Sequence, residues 1–497
     1  MAFFRQRFRA TNPLDWPKLG LLAALLLLFA WNVGAPVLHV WDEARLAVNA
    51  TEMLRSGDWL ITRYEGQPDL WNTKPPLLIW LQAGSLGLFG YSPWAVRLPS
   101  VLAALATAGA LYRFGRAVLG SRFVGTFAAL ILATSPGFNG THVARFGDYD
   151  ALLTFGLTAA ALSWYRYAQE QQGRWLWRGA GWFALALLTK SAAAVLVLPA
   201  VAVGGLALPG GRRALRQWPT YVAIAAAFGP LGLFYGLREA AAPGYLAATW
   251  FNDWYGRFSQ HIVTVQYPWW IYFQRLLFPG LMTWSWLLPV GAWLGLSATL
   301  VPGPKRRFAQ FAGLFVLTFL VLISVARTRL GWYSAPVYPM AALLCALGLE
   351  HLARQARLRW HWPATAVTGT LAVALAVPTG LLLHHEHARR EAEKTDPLLR
   401  YGYQLPPLAA SRPRYYTFSI LQEDRYHAVL NFYVAALRQA GVQPVVVPAE
   451  DVTLGRLRPG LLFVGSEPML RSVQQRYYTK LLMPVASGVF LRILGPK

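Results

Sequence analysis

Residues 41–76 read WDEARLAVNATEMLRSGDWLITRYEGQPDLWNTKPP. This stretch follows the first long apolar run and carries Asp42, Glu43, Glu52, Asp58, Glu65 and Asp69, with Arg45, Arg55, Arg63 and Lys74 among them. A chain with only 22 acids in 497 residues that gathers six of them here uses them here. Read as a helix, residues 42–55 put Asp42, Arg45, Asn49, Glu52 and Arg55 on one face and Leu46, Ala50, Met53 and Leu54 on the other. That pattern predicts an amphipathic helix lying along a membrane surface. Asp42 opens the helix, and two readings of it are open. It is a cap for backbone N–H groups, or it is a carboxylate held at the mouth of a membrane cavity, ready to take a proton. Capping alone leaves Glu43 unexplained.

Outward from this loop the chain is mostly apolar. It is 55% hydrophobic and 14% charged, and many runs reach the 18–22 or so residues that cross a bilayer core of about 30 Å. Spans are expected near 18–34, 98–118, 123–140, 150–168, 179–189, 191–208, 219–237, 278–300, 308–325, 333–351 and 363–383. Segment 75–90 is either one more span or an interfacial helix, so about eleven to thirteen crossings are expected. The first run follows Arg5, Arg7, Arg9 and Lys18 and reads as a signal anchor. The net charge of +24 resides in short basic loops, 112–122, 166–178, 210–217, 302–308 and 351–361. That is the positive-inside pattern and not a nucleic-acid footprint. Parity then places 35–97, 141–149, 238–277, 326–332 and everything after 384 on the outer side, provided that 179–208 crosses twice with a break near Lys190. Cys345 is the only cysteine, which excludes intrachain disulfides and a cysteine metal site.

Four further outer or interfacial clusters carry chemistry. HVARFGDYDALLTF, 142–155, sets His142, Arg145, Asp148 and Asp150 just before a span. It is a solvated ion-paired loop or a functional group of acids, since carboxylates at an apolar helix start are costly unless paired or used. WNTKPPLLIW, 71–80, puts Lys74 at a helix N-terminus, where the dipole disfavours a cation unless an anion such as phosphate is bound. A snorkelling lysine is the simpler reading. Lys190 stands at the expected helix break. ARTRLGWYSAPVYP, 326–339, places Arg327 and Arg329 on the outer side, against the charge trend, followed by Tyr333. Arginine there suits an anionic headgroup. The stretch 250–286 adds Arg257, His261, Arg275 and many tryptophans. Most of these rings read as an interface belt, and a few are placed to stack on a sugar.

The tail, 385–497, follows the charged stretch HHEHARREAEK and changes character. The runs 415–420, 444–448, 460–465 and 489–494 read as short strands and 427–441 as a helix, which predicts a small α/β domain.

DEARLAVNATEMLRSGDWL, TKPPLLIW, ARFGDYDALLTF, LLTKSAAAVLVLP and GWYSAPVYP occur in this order over residues 18–385. In this the chain resembles the membrane glycosyltransferases of the aminoarabinose lipid A transferase and protein O-mannosyltransferase superfamily. The resemblance implies a GT-C fold: a polytopic α-helical membrane catalytic domain, 1–384, with its first outer loop at 35–97, and a periplasmic α/β domain, 385–497. It implies an inner-membrane enzyme, N-terminus cytoplasmic, that moves a sugar from a polyprenyl-phosphate donor to a lipid A, glycan or protein acceptor. Asp42 matches the family's catalytic carboxylate, Glu43 its neighbour and Asp150 the acid of the second outer loop. Lys74, Arg145, Lys190 and Tyr333 match the phosphate side, and Arg327 is added from its outer position. Asp148, His142, Arg257 and His261 are secondary candidates. Aminoarabinose transferases often carry Glu where this chain has Thr73, so no metal or other cofactor is predicted, and a divalent ion has no support from the residues. The expected chemistry is inverting displacement, with Asp42 as general base. The competing readings are a transporter of lipid-linked sugar and a non-catalytic assembly factor whose tail domain binds a partner.

Overall fold

The computed structural model describes residues 16–35, 37–260, 267–297, 303–407, 417–423, 426–485 and 488–497. Helix α1 (Trp16–Ala30) leads into an extended loop and then α2 (Asp42–Ser56). A two-stranded hairpin, β1 (Arg63–Tyr64) and β2 (Gln67–Pro68), follows, then α3 (Leu77–Phe89) and α4 (Pro93–Ala117). Helix α3 has 13 residues, about 20 Å of rise, too short to cross the bilayer. It packs on α2 and α4, which decides the open reading of 75–90 against a span.

Helices α5 (Arg122–Thr134), α6 (Tyr149–Glu170), α7 (Gly173–Val195), α8 (Val197–Leu206) and α9 (Trp218–Ala241) come next. Helices α4 and α5 cross at backbone contact: a Cβ on Gly115 would lie 2.5 Å from the backbone of Gly125. Glycine is what permits that approach. Lys190 breaks α7 with non-helical angles (φ −155°, ψ 79°), where a break was expected, and α7 and α8 are bent by 77°. The region 278–300 is not one continuous helix among the described residues. Short turns over 276–284 precede α10 (Leu287–Leu296), and Phe278 and Pro279 interrupt the helical path. Helices α11 (Gly303–Val325), α12 (Tyr338–Leu358) and α13 (Ala364–Glu393) complete the helical part. By length and apolarity alone, five described helices can cross a membrane, or six counting the bent pair. Several other apolar helices are shorter or interrupted.

The C-terminal part is a five-stranded sheet in the order β4-β3-β5-β7-β6. Strands β3 (Thr417–Gln422), β4 (Gln443–Pro448) and β5 (Gly460–Val464) are parallel, and β6 (Tyr477–Val485) and β7 (Gly488–Pro496) continue it antiparallel. Helix α14 (Ala428–Gln439) connects β3 to β4. This small sheet domain lies directly on the segment that carries α2 and the hairpin. Tyr433 accepts a hydrogen bond from the Leu38 N–H (3.3 Å), Asn431 donates to Glu65 (3.0 Å), and the Tyr91 N–H donates to Gln439 (2.7 Å). The hydrophobic core runs without interruption from the helices into α14, through Val429, Phe432 and Tyr433.

Helix α2 corrects one expectation. Its polar face is not solvated. Asn49 is fully buried, and Glu52 accepts the Glu65 and Gly66 N–H groups at 2.7 and 2.9 Å. The hairpin has backbone donors with no partner of their own, and this face supplies the acceptors. Leu46, Ala50 and Met53 are buried on the opposite face.

Candidate active site

Asp42 and Glu43 are adjacent in sequence but about 100° apart around α2. Trp41, just before them, takes a left-handed backbone (φ 75°) rarely adopted by a bulky residue, and its indole is 52% exposed. Tyr426 stacks on that indole at 4.6 Å and donates to the Trp41 carbonyl at 3.0 Å.

Glu43 points inward. Its Oε1 accepts from Arg97 Nε (2.6 Å) and the Gly147 N–H (2.7 Å), and its Oε2 accepts from Arg97 Nη2 (2.8 Å) and the His39 N–H (2.6 Å). Burial alone would raise its pKa, but the Arg97 guanidinium and the two backbone donors hold it below the ordinary value. A carboxylate with four charge-assisted or backbone bonds has no lone pair left for an acceptor proton. The geometry makes Glu43 the clamp between α2, α4 and the 142–148 loop. Gly147 is required there, because a Cβ would lie 2.6 Å from Val96.

Asp42 is turned the other way, partly exposed, and has no side-chain hydrogen bond among the described residues. Near it, His142 Nδ1 lies 2.6 Å from Asp148 Oδ2, and the His142 ring stacks on Trp332 at 3.7 Å. Burial disfavours the imidazolium, yet the Asp148 bond outweighs this and raises the His142 pKa; Asp148 is held low in turn. Asp148 also caps α6 through the Tyr149 N–H. Asp42, His142 and Asp148 each bring one ligand atom within 4.8 Å of the others, the one such trio among the described residues. These donors suit a borderline divalent cation, although the hydrogen bond between two of them already satisfies both.

Beside this trio a cavity of about 700 Å³, including its open mouth, is lined by Lys74, Asp150, Lys190, Asp253, Arg257 and Tyr333. Its remaining wall is mostly apolar, with Leu153, Leu196, Phe319 and Ile323 beside Ser191 and Thr328. Lys190 makes a two-pronged pair with Asp150 (2.9 and 3.0 Å) and lies 5.2 Å from the Tyr333 ring. The helix break is what lets this lysine leave the α7 axis. Arg257 donates to the Tyr333 hydroxyl at 2.5 Å. Burial works against its charge, and Tyr333, Asp253 and Asp42 more than offset this. Asp42 therefore acts electrostatically on both the His142 pair and the cation cavity.

The structure thus brings together Asp42, Asp148, His142, Asp150, Lys74, Lys190, Tyr333 and Arg257. It separates two expected phosphate ligands from them. Arg145 donates to the Leu28 and Trp31 carbonyls (3.1 and 2.8 Å) at the end of α1, and burial lowers its pKa to about 10. Arg327 is exposed and absent from the cavity wall. The backbone explains this: Arg327 N–H bonds Phe258 O and Thr328 N–H bonds Arg257 O, and this pairing turns Arg257 inward. His261 lies outside the described residues.

Asp253, Thr73 as its partner, and Arg97 were not foreseen. The Thr73 hydroxyl donates to Asp253 at 2.6 Å, and Tyr245 donates to the Thr73 carbonyl at 2.7 Å. One signal was available, since Asp253 is the only acid between Glu239 and Glu350 and stands four residues before Arg257.

Comparison with known proteins bears on the fold. The family described as Dolichyl-phosphate-mannose-protein mannosyltransferase matches residues 73–231. The undecaprenyl phosphate-alpha-4-amino-4-deoxy-L-arabinose arabinosyl transferase of Edwardsiella ictaluri is 28% identical over 352 residues, covering 67% of this chain. The match spans only 59% of that relative's length. The crystal structure of ArnT from Cupriavidus metallidurans bound to undecaprenyl phosphate is similar with a TM-score of 0.70 at 18% identity, over 96% of this chain and 98% of that one. The apo oligosaccharyltransferase of Archaeoglobus fulgidus gives 0.55 at 11% identity, over 97% and 77%. The chain has the GT-C fold of these solved structures and several helices long and apolar enough to cross a membrane.

Proposed function

We propose that the chain is a membrane glycosyltransferase that moves a sugar from a polyprenyl-phosphate donor to a lipid A, glycan or protein acceptor. The observation that carries this reading is the cavity wall: three cations against two acids, with a tyrosine, and mostly aliphatic and aromatic side chains besides. That is the chemistry of a phosphate on a hydrocarbon chain. Relatives named as arabinosyl transferases with an undecaprenyl phosphate donor support transfer over transport. The reaction faces the periplasm, with the N-terminus cytoplasmic and residues 385–497 forming the outer domain beside the catalytic part, 1–384.

In the proposed reaction the acceptor oxygen attacks C1 of the sugar as the C1–O bond to phosphate breaks, its electron pair leaving with the phosphate. Lys74, Arg257 and Tyr333 stabilise that growing charge. Asp42, whose side chain makes no hydrogen bond among the described residues, takes the acceptor proton. Asp150 holds Lys190 at the phosphate end, and direct displacement inverts the anomeric centre. Glu43, Arg97 and Arg145 are positioning groups. The test is release of labelled sugar from a polyprenyl-phosphate donor in membranes that contain native acceptors. Asp42→Asn should abolish transfer in a folded protein. Near-normal transfer by this variant overturns the assignment.

A further inference from the structure

We propose that Asp253 is the resident counter-ion of the phosphate site: the carboxylate that Lys74 and Arg257 give up when the donor phosphate enters and take back when the product leaves. This rests on the phosphate reading above. Asp253 Oδ1 lies 3.9 Å from Lys74 Nζ and 3.8 Å from Arg257 Nε. Both contacts are close enough for strong Coulomb attraction and too long for hydrogen bonds. Asp253 therefore offsets charge on both cations without being fastened to either. The carboxylate itself is fastened elsewhere. Thr73 donates to its Oδ2 at 2.6 Å, and it sits on a π-helical turn, Trp250–Tyr255, a local geometry that recurs at functional sites.

Arg257 is anchored at its far atoms. Its Nε donates to Asn252 O at 3.0 Å and its Nη1 to Tyr333 at 2.5 Å. All four groups line one cavity, and Asp253 is 8% exposed. Two cations within 4 Å of one carboxylate oxygen are close enough to repel each other and are costly to bury unpaired. An anion in the wall removes that cost between turnovers. The same anion repels a bound phosphate, so it weakens the hold on product and favours its release.

A carboxylate that only braces the site makes the opposite prediction. The experiment is equilibrium binding of undecaprenyl phosphate to the full-length chain in lipid nanodiscs, followed by intrinsic tryptophan fluorescence, with undecaprenol as the uncharged control. Asp253→Asn should bind undecaprenyl phosphate about tenfold tighter than wild type, with the gain shrinking at high salt. Undecaprenol binding should not change. Asp253→Ser removes the same charge and should move in the same direction, which keeps the test usable if one variant folds poorly. Thr73→Val keeps the charge and should stay within about twofold of wild type. Equal or weaker phosphate binding in the Asp253 variants, or an equal gain for undecaprenol, overturns the counter-ion role and leaves the phosphate reading standing. A wild-type protein that does not distinguish undecaprenyl phosphate from undecaprenol overturns both.

Discussion

Asp42 and Glu43 offer a paired test, because the structure assigns neighbouring acids opposite roles. In Glu43→Gln the new NH2 group replaces one carboxylate oxygen. Whichever oxygen is replaced, two donors lose their acceptor: either Arg97 Nε and the Gly147 N–H, or Arg97 Nη2 and the His39 N–H. The buried Arg97 charge also loses its counter-charge. Breaking a buried pair on one side costs about 3–5 kcal/mol. Unfolding entropy near 2 cal/mol/K per residue makes this a drop of about 3–5 °C in apparent Tm if the chain unfolds as one unit. Asp42→Asn loses no side-chain hydrogen bond among the described residues. It gives up a favourable placement at a helix start, about 0.3–1 kcal/mol, and a longer-range attraction to His142 and Arg257, together a shift of about 1–2 °C. The assay is thermal unfolding in nanodiscs beside donor turnover on the same preparations. Glu43→Gln should be the less stable variant and, below its unfolding temperature, should retain measurable turnover. Asp42→Asn should be stable and inactive. A stable, inactive Glu43→Gln would move the chemistry to Glu43 and refute the argument from saturated lone pairs.

Other outcomes follow from the same geometry. Lys190→Ala leaves Asp150 buried without its partner and should destabilise by about 3–5 kcal/mol, and adding Asp150→Ala should recover more than half of that, read as a coupling energy in a double-mutant cycle. Asp69 is buried. That raises its pKa, but the Arg45 guanidinium at 2.8 Å, with Asn49 and the Asn72 N–H, brings the net value below 3.8. Its contribution is therefore complete above pH 3.8 and is lost as pH falls through the lower folded value. In an acid scan of Tm, wild type should lose stability below about pH 4 that Asp69→Asn no longer has to lose. Trp41→Ala removes the ring stack on Tyr426, worth about 0.5–1.5 kcal/mol. Amide hydrogen exchange in α14 should speed up by about two- to tenfold if that stack holds the sheet domain down.

Much of the fold was legible because apolar length and loop charge are local signals. The break at Lys190 followed from a run too long for one span, and four strands of the tail from short apolar runs. Strand β6 escaped because it is an edge strand that pairs only with β7, with Tyr478 and Leu481 exposed. Its order comes from a partner and not from a two-sided apolar run. The site was legible as a set of outer-loop charges. What could not be read was how they pair. Arg257 and Arg327 both looked like outer arginines, and two backbone hydrogen bonds between their segments decide which one faces the cavity. Arg97 sits in an apolar run, and only the fold shows that Glu43 is its partner. Helix α2 showed a polar stripe that local periodicity assigns to water. The acceptors on that stripe are used by a hairpin whose donors have no sequence signature.

The charge balance of the cavity ties the site to the reaction proposed for it. Lys74, Lys190 and Arg257 face Asp150 and Asp253, which leaves one positive charge in excess. A sugar linked through phosphate to a polyprenyl chain is a phosphodiester with a single negative charge, so it neutralises this excess. When the glycosidic bond breaks, the phosphate becomes a monoester and gains charge. The site is then electrostatically better matched to the departing phosphate than to the intact donor, which is the condition for catalysis by differential binding. The same preference would retain the product. A resident carboxylate that competes for two of the three cations reduces that retention without weakening the third, since Lys190 is already committed to Asp150 through two direct bonds. The two acids of the cavity thus divide the work: Asp150 fixes a cation in place, and Asp253 leaves two cations free to exchange.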